Sequence, residues 1–249
     1  MRAYVALACV LAVGCTGEAA SSRTERLETP AIAAGESVVD QRFGLRIVAI
    51  EGASTPSEHA TDSLPPRNLE LRGGGRVVRP PVPSLSGCIT RMGALWVTTE
   101  FTLIDERGAL LAPDAEQDLS VSPAGDEVAF VAHSEEGISG IHILSMETRT
   151  AQLLTGEFAN ATTPFFLPDG RLIFAGGHTG DFAALWLLDR RTGATRQLTN
   201  HGLRVGQPLG PTFVPLPAWQ SSMRLEVDVL VYEDGEGTQR VSLREEQTP

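Results

Sequence analysis

An all-β chain made of short antiparallel sheets is what this sequence predicts, and three observations predict it. One pattern occurs twice between Asp118 and Asn200, the strands inside it are apolar on both faces, and glycine-bearing turns separate them. The first copy reads Ser122-Pro-Ala-Gly125, Glu127-Val-Ala-Phe-Val-Ala132, Gly140-Ile-His-Ile-Leu144 and Gln152-Leu-Leu-Thr155. The second reads Leu167-Pro-Asp-Gly170, Arg171-Leu-Ile-Phe-Ala-Gly176, Ala184-Leu-Trp-Leu-Leu188 and Arg196-Gln-Leu-Thr199. From Pro123 to Pro168 is 45 residues, the length of one four-stranded propeller blade. A strand such as Ala184–Leu188, greasy on both sides, belongs to a sheet held between two others. The expectation is therefore a small or incomplete β-propeller of about four blades, each a four-stranded antiparallel sheet.

The chain opens with Arg2 and an apolar run from Ala3 to Val13, too short to cross a bilayer and suited to a secretory signal. It ends in Leu11-Ala-Val-Gly-Cys15, which resembles a bacterial lipobox. The resemblance implies cleavage before Cys15 and lipidation of its sulfur. Each buried methylene contributes about 0.8 kcal/mol, so several acyl chains anchor the protein without a transmembrane helix. Thr16, standing where the family places aspartate to retain a protein at the inner membrane, implies the outer membrane. Residues 1–14 are read as the signal peptide. Residues 15–38, rich in Ser, Thr, Glu, Ala and Gly without apolar periodicity, are read as a flexible tether.

The propeller-like domain is expected over 39–247. Leu45–Ile50 reads as a strand, and Glu51–Arg67 as a loop crowded with Ser, Thr, Pro and Gly. Asn68–Arg72 and Arg76–Val78 flank Gly73-Gly-Gly75 as a hairpin. Pro80, Pro81 and Pro83 mark a boundary, because proline cannot donate to a central ladder. Phe101–Leu111 looks like the end of a degenerate blade. The clear repeats then occupy 118–155 and 163–200, and a weaker one 211–243, with Tyr232 in the aromatic position and Trp219 in an insertion. That last copy has no outer strand of its own. Leu45–Ile50 is the segment available to close it, and an incomplete ring would leave room for homo-oligomers.

Pro168-Asp-Gly-Arg-Leu-Ile-Phe174, Leu187-Leu-Asp-Arg-Arg-Thr-Gly193 and Arg196-Gln-Leu-Thr-Asn200 are similar to the TolB-type propeller repeat. The repeat also builds the propellers of prolyl oligopeptidase-like peptidases. It implies the fold rather than an activity, since these residues make turns and cores. The first copy departs from the pattern with Ala124 where aspartate is usual.

Composition narrows the partners. The net charge is −11, and the 20 basic residues are all arginine. That balance argues against non-specific nucleic-acid binding and against an electrostatic hold on anionic membranes. Cys88 has no disulfide partner once Cys9 leaves with the signal and Cys15 is acylated. No Gly-x-Ser-x-Gly elbow and no paired metal-ligand spacing occurs, so no catalytic residue, metal or cofactor is assigned. His178 and Asp181 form a polar cluster between two blade strands, and Trp219 is a candidate binding aromatic. The reading is a lipid-anchored envelope protein, facing the periplasm or the cell surface, whose propeller binds a protein or peptide. Two alternatives stay open. One is a propeller-scaffold polysaccharide lyase or hydrolase using His178 and Asp181, with His133 or His201 beside them. The other is a purely structural envelope lipoprotein.

Overall fold

The computed structural model describes residues 33, 35–50, 67–134, 136, 138–158, 160–177, 182–199, 203–204, 224–234 and 237–244. Five antiparallel sheets follow one another along the chain, arranged as a β-propeller, and every helix-forming alternative is absent among these residues. The first sheet is β1 (Glu36–Arg42), β2 (Leu45–Ile50), β3 (Asn68–Gly73) and β4 (Arg76–Val78). The second is β5 (Ser84–Thr90), β6 (Gly93–Thr98), β7 (Leu103–Asp105) and β8 (Leu110–Ala112). The third is β9 (Ala115–Val121), β10 (Glu127–His133), β11 (Ser139–Ser145) and β12 (Thr150–Leu153). The fourth is β13 (Asn160–Phe166), β14 (Leu172–Gly177), β15 (Phe182–Asp189) and β16 (Ala194–Gln197), and β17 (Leu203–Arg204) also pairs with β15. The fifth has three strands, β18 (Arg224–Glu226), β19 (Val229–Asp234) and β20 (Gly237–Ser242).

Within each sheet the main path runs in sequence order, and the first strands β1, β5, β9 and β13 lie beside one another along the axis. Five sheets fit where a 45-residue period leaves room for about four, because the second sheet is compact. Its first turn, Arg91-Met-Gly93, also lacks the Pro-x-Gly signature that marks the later copies. The first sheet starts earlier than expected: β1 opens at Glu36, inside the stretch read as tether. Its polar sequence, with only Val38 and Val39 apolar, hides the strand.

Leu45–Ile50 does not close the last sheet. It is β2, and both of its edges are taken, by β1 on one side and β3 on the other. Arg224 opens β18, and Val227 lies in the turn after it.

The core is a series of slabs between successive sheets. Four buried clusters join first to second, second to third, third to fourth and fourth to fifth. One aromatic side chain per second strand faces the sheet before it: Trp96, Phe130, Phe174 and Tyr232, none more than 3% exposed. Burying each of these contributes on the order of 2–3 kcal/mol, so each of these aromatics ties its sheet to the one before it. Cys88 sits in one of these clusters as a small buried apolar residue, and burial pushes its thiol pKa up.

Arginine forks stitch the same joints. Arg76 reaches Glu106, Arg149 reaches Asp105, and Arg190 makes two bonds of 2.6 and 2.7 Å to Glu127. Arg196 donates to the carbonyl of Leu243 at 2.9 Å. Each joint thus carries one guanidinium that spans it. A planar fork engages two acceptors at once, which the compact ammonium of lysine does not match.

Candidate interaction surface at one end of the propeller

Strands of a meander alternate direction, so every turn from first to second strand lies at one end of the molecule. Backbone bonds confirm the alignment, with Arg91 N–H donating to Gly125 O at 2.9 Å and Met146 N–H to Asp126 O at 2.9 Å. At this end the tips are Phe43, Met92, Pro123-Ala124, Pro168-Asp169 and Val227. Phe43 is 49% exposed, Met92 64% and Val227 82%.

Two of these tips are held at a backbone cost. Phe43 has φ of 51° and Val227 φ of 60°. A bulky or β-branched residue in the left-handed region is an outlier, strained by roughly 1–3 kcal/mol. The corresponding turns of the third and fourth sheets place Gly125 and Gly170 there instead, with φ of 76° and 86°. Gly125 has a second reason to lack a side chain: a Cβ there would collide with the Phe43 ring and the Arg91 stem. The tips of the first three sheets are therefore in direct contact beside the axis.

The axis-side edges of the first strands are closed by side chains. Ile89 N–H donates to Asp40 Oδ2 at 2.7 Å, and Phe166 N–H donates to Ser120 Oγ at 2.9 Å. Arg42 Nη1 donates to Val121 O at 3.3 Å. All four of these first strands carry a register shift, a bulge that frees a residue from the ladder and re-aims its side chain. In β9 the shift spans Glu116 to Asp118. Burial, with the Glu116 charge adding to it, pushes the Asp118 pKa up to about 6. Glu116 contacts His133 Nε2 at the same place. The His142 ring packs on Phe130 with centroids 5.4 Å apart, and burial pushes its pKa down.

The other described features are structural. A cavity of about 510 Å³ opens between the first and second sheets, lined in part by Arg67, Glu70, Arg79 and Pro83. Glu70 in it is already bonded by Arg72 and Arg79; burial opposes its ionisation, and the two guanidiniums outweigh that. Among the described residues no group of three His, Cys, Asp or Glu side chains converges as a metal site.

Cys15, His178, Asp181, His201 and Trp219 lie outside the described residues. His133 is placed, and its partner is Glu116. The turn tips were not singled out from sequence. Their signal was present all the same: Phe43-Gly44 and Val227-Asp228 put an apolar residue where Asn or Gly is the usual turn choice.

Fold and surface together define a β-propeller whose first-turn end carries three exposed apolar tips. The chain is similar to the crystal structure of TolB from Acinetobacter baumannii, at 18% identity and a TM-score of 0.43, over 71% of this chain and 59% of that one. It is similar to a TolB structure from Agrobacterium tumefaciens at 17% identity and a TM-score of 0.41, over 66% of this chain and 65% of that one. A prolyl endopeptidase structure matches at 12% identity and a TM-score of 0.46, over 84% of this chain and 41% of that one. The chain thus spans about three-fifths of the length of the TolB structures it matches. No family model matches, and no curated protein matches.

Proposed function

We propose that this protein is a lipid-anchored cell-envelope module whose propeller binds a polypeptide and performs no catalysis. The observation that carries the reading is the end surface: Phe43, Met92 and Val227 stay exposed and apolar at tips where turn chemistry favours polar residues or glycine. A surface that accepts both solvation and backbone penalties is explained by what covers it. The anchor in this proposal is Cys15, and the outer membrane is the address implied by Thr16.

A photo-crosslinking amino acid at position 92 tests the binding. In cells it should give a discrete polypeptide adduct that the same label at position 138, at the opposite end, does not give. Equal adducts at both positions, or none at 92, would sink the reading. The address is tested separately, by palmitate incorporation that Cys15→Ser abolishes.

Asp118 supports a second reading. A carboxyl with a pKa near 6 beside Glu116, which itself contacts His133, has the character of a general acid, which suits a propeller-scaffold hydrolase or lyase. Turnover of a polysaccharide that Asp118→Asn eliminates would favour this reading over simple binding.

A further inference from the structure

The charges around the turn-bearing end are distributed unlike those of the rest of the chain. Turns from third to fourth strand lie at this same end, next to the first turns. Among the described residues here, Arg42, Arg76, Arg149, Arg171, Arg190 and Arg244 each hold a carboxylate. Arg91, Arg107 and Arg191 are exposed, and none of them forms an ion pair with a carboxylate among the described residues. On the acidic side the balance is the reverse. Asp105, Glu106, Glu127, Asp169 and Asp228 are held by arginine, Asp126 accepts from Ser122 Oγ, and Asp189 accepts from the N–H groups of Arg191 and Thr192. Glu147 is the one exposed carboxylate at this end with no donor among the described residues. Among the described residues, a chain with net charge −11 therefore offers three open guanidiniums around these apolar tips.

We infer that this end recognises an acidic, apolar polypeptide segment, one in which leucine or aromatic side chains are interleaved with Asp or Glu. The inference rests on the binding-module reading and names its partner. Arg91 and Met92 are adjacent in one turn, so a guanidinium and an apolar side chain project from the same tip, and the Phe43 ring lies against the Arg91 stem across Gly125. Carboxylates on the incoming segment pair with the open forks, while its apolar side chains cover Phe43 and Met92 and desolvate those pairs. The positive φ at Phe43 and Val227 aims apolar side chains outward at fixed positions, so little conformational freedom is lost on docking. The acidic remainder of the surface repels the same segment elsewhere, which gives the site its selectivity.

The test uses the full chain, immobilised and panned with phage-displayed random dodecapeptides. The enriched peptides are expected to combine Asp or Glu with Leu, Phe or Trp. Their affinity should fall at least about tenfold against Phe43→Asn/Met92→Gln, and fall to a smaller extent, with a weaker salt dependence, against Arg91→Gln. Asn tolerates the left-handed conformation, so the double variant should keep its melting temperature within a few degrees, which separates lost binding from lost fold. Ile138→Ser, at the opposite end, should leave the affinity unchanged. Peptides that bind the double variant as well as the wild type would overturn this site and leave the binding-module reading standing. Failure of any peptide to enrich would remove both. Basic peptides, or binding to vesicles rich in anionic lipid that the same double variant abolishes, would overturn the acidic-segment partner.

Discussion

The third and fourth sheets differ from the first and fifth in what their outer faces must do. In the middle pair both faces of β10, β11 and β14 are buried, because another sheet lies on each side. In the first sheet one face, with Ile47, Ala49, Leu69 and Leu71, packs on its neighbour, and the other carries Arg72 bonded to Glu36 and Glu70. The fifth sheet repeats this with Leu230, Tyr232 and Leu243 inward and an Arg224–Glu226–Arg240 set outward. Val231 lies directly opposite both Arg224 and Arg240 in the ladders and is fully buried, as expected where arginine stems cover an apolar neighbour. The lesson is that alternation marks the sheets at the two ends of the described series, and loss of alternation marks those inside it.

The largest expected effect sharpens that contrast at the core. Phe174→Ala should destabilise the protein by about 3–5 kcal/mol in urea titrations, since the ring is enclosed by two sheets and meets Phe158 edge-on at 4.9 Å. Val231→Ala, at an end sheet, should cost about 1–2 kcal/mol. Equal losses would break the distinction between the inner and outer positions.

Next comes Asp118 on β9. Its folded pKa of about 6 lies above its unfolded value, so its neutral form is the one favoured by folding. Stability from this group is present below the unfolded pKa and is lost as pH rises from about 4 through 6. Asp118→Asn should therefore stabilise the protein at pH 7.5 by on the order of 2–3 kcal/mol and have little effect near pH 4. A melting-temperature profile parallel to that of the wild type would refute this assignment. The carboxylates of the end sheets act in the opposite direction. Arg72 holds the Glu36 pKa down, and Arg240 and Arg224 hold the Glu226 pKa down, so their contribution disappears as pH falls below the usual carboxylate range.

The Leu-Thr ending of each repeat predicts a smaller loss. Thr155 Oγ1 accepts from Ile141 N–H at 2.9 Å, and Thr199 Oγ1 accepts from Leu185 N–H at 3.0 Å. Both copies also bond the preceding leucine N–H to the same third strand, at 2.8 and 2.7 Å. Replacing either threonine with valine leaves a strand N–H without its acceptor, at about 1–3 kcal/mol. Thr155, which is buried, should show the larger loss and Thr199 the smaller.

The smallest effect concerns the ion pairs. A double-mutant cycle on Arg190 and Glu127 should give a coupling of about 1 kcal/mol that survives added salt, because the pair is bidentate and half-buried. The Arg224–Glu226 cycle on the outer face should give a few tenths at most, erased by salt. Similar couplings in the two cycles would mean that the joint contributes nothing beyond a surface pair.

Much of the fold was legible where local chemistry and burial agree. The repeats at 118–155 and 163–200 declared themselves because their strands are buried on both faces and their turns need a left-handed glycine. Even the departure at Ala124 has a local answer. Asp169 Oδ1 accepts from Arg171 N–H in the second copy, and in the first Ser122 Oγ accepts from the N–H groups of Asp126 and Glu127. The second sheet was harder to see, since Ser84-Leu-Ser-Gly-Cys-Ile-Thr90 is polar and small yet wholly buried. Gly87 there makes room for the Trp96 ring, a requirement set by packing and invisible in strand propensity.

The amino-acid order alone therefore determined strand period, turn chemistry and the sheet class, because these depend on residues a few positions apart. Which sheets stand at the ends of the described series, which arginines bridge joints and which stay open, and which turn tips meet beside the axis were decided by tertiary structure. Those pairings join positions such as Phe43 with Gly125 and Glu127 with Arg190, far apart in the chain. Contacts of that kind arise only when the sheets stack, and no local preference encodes them.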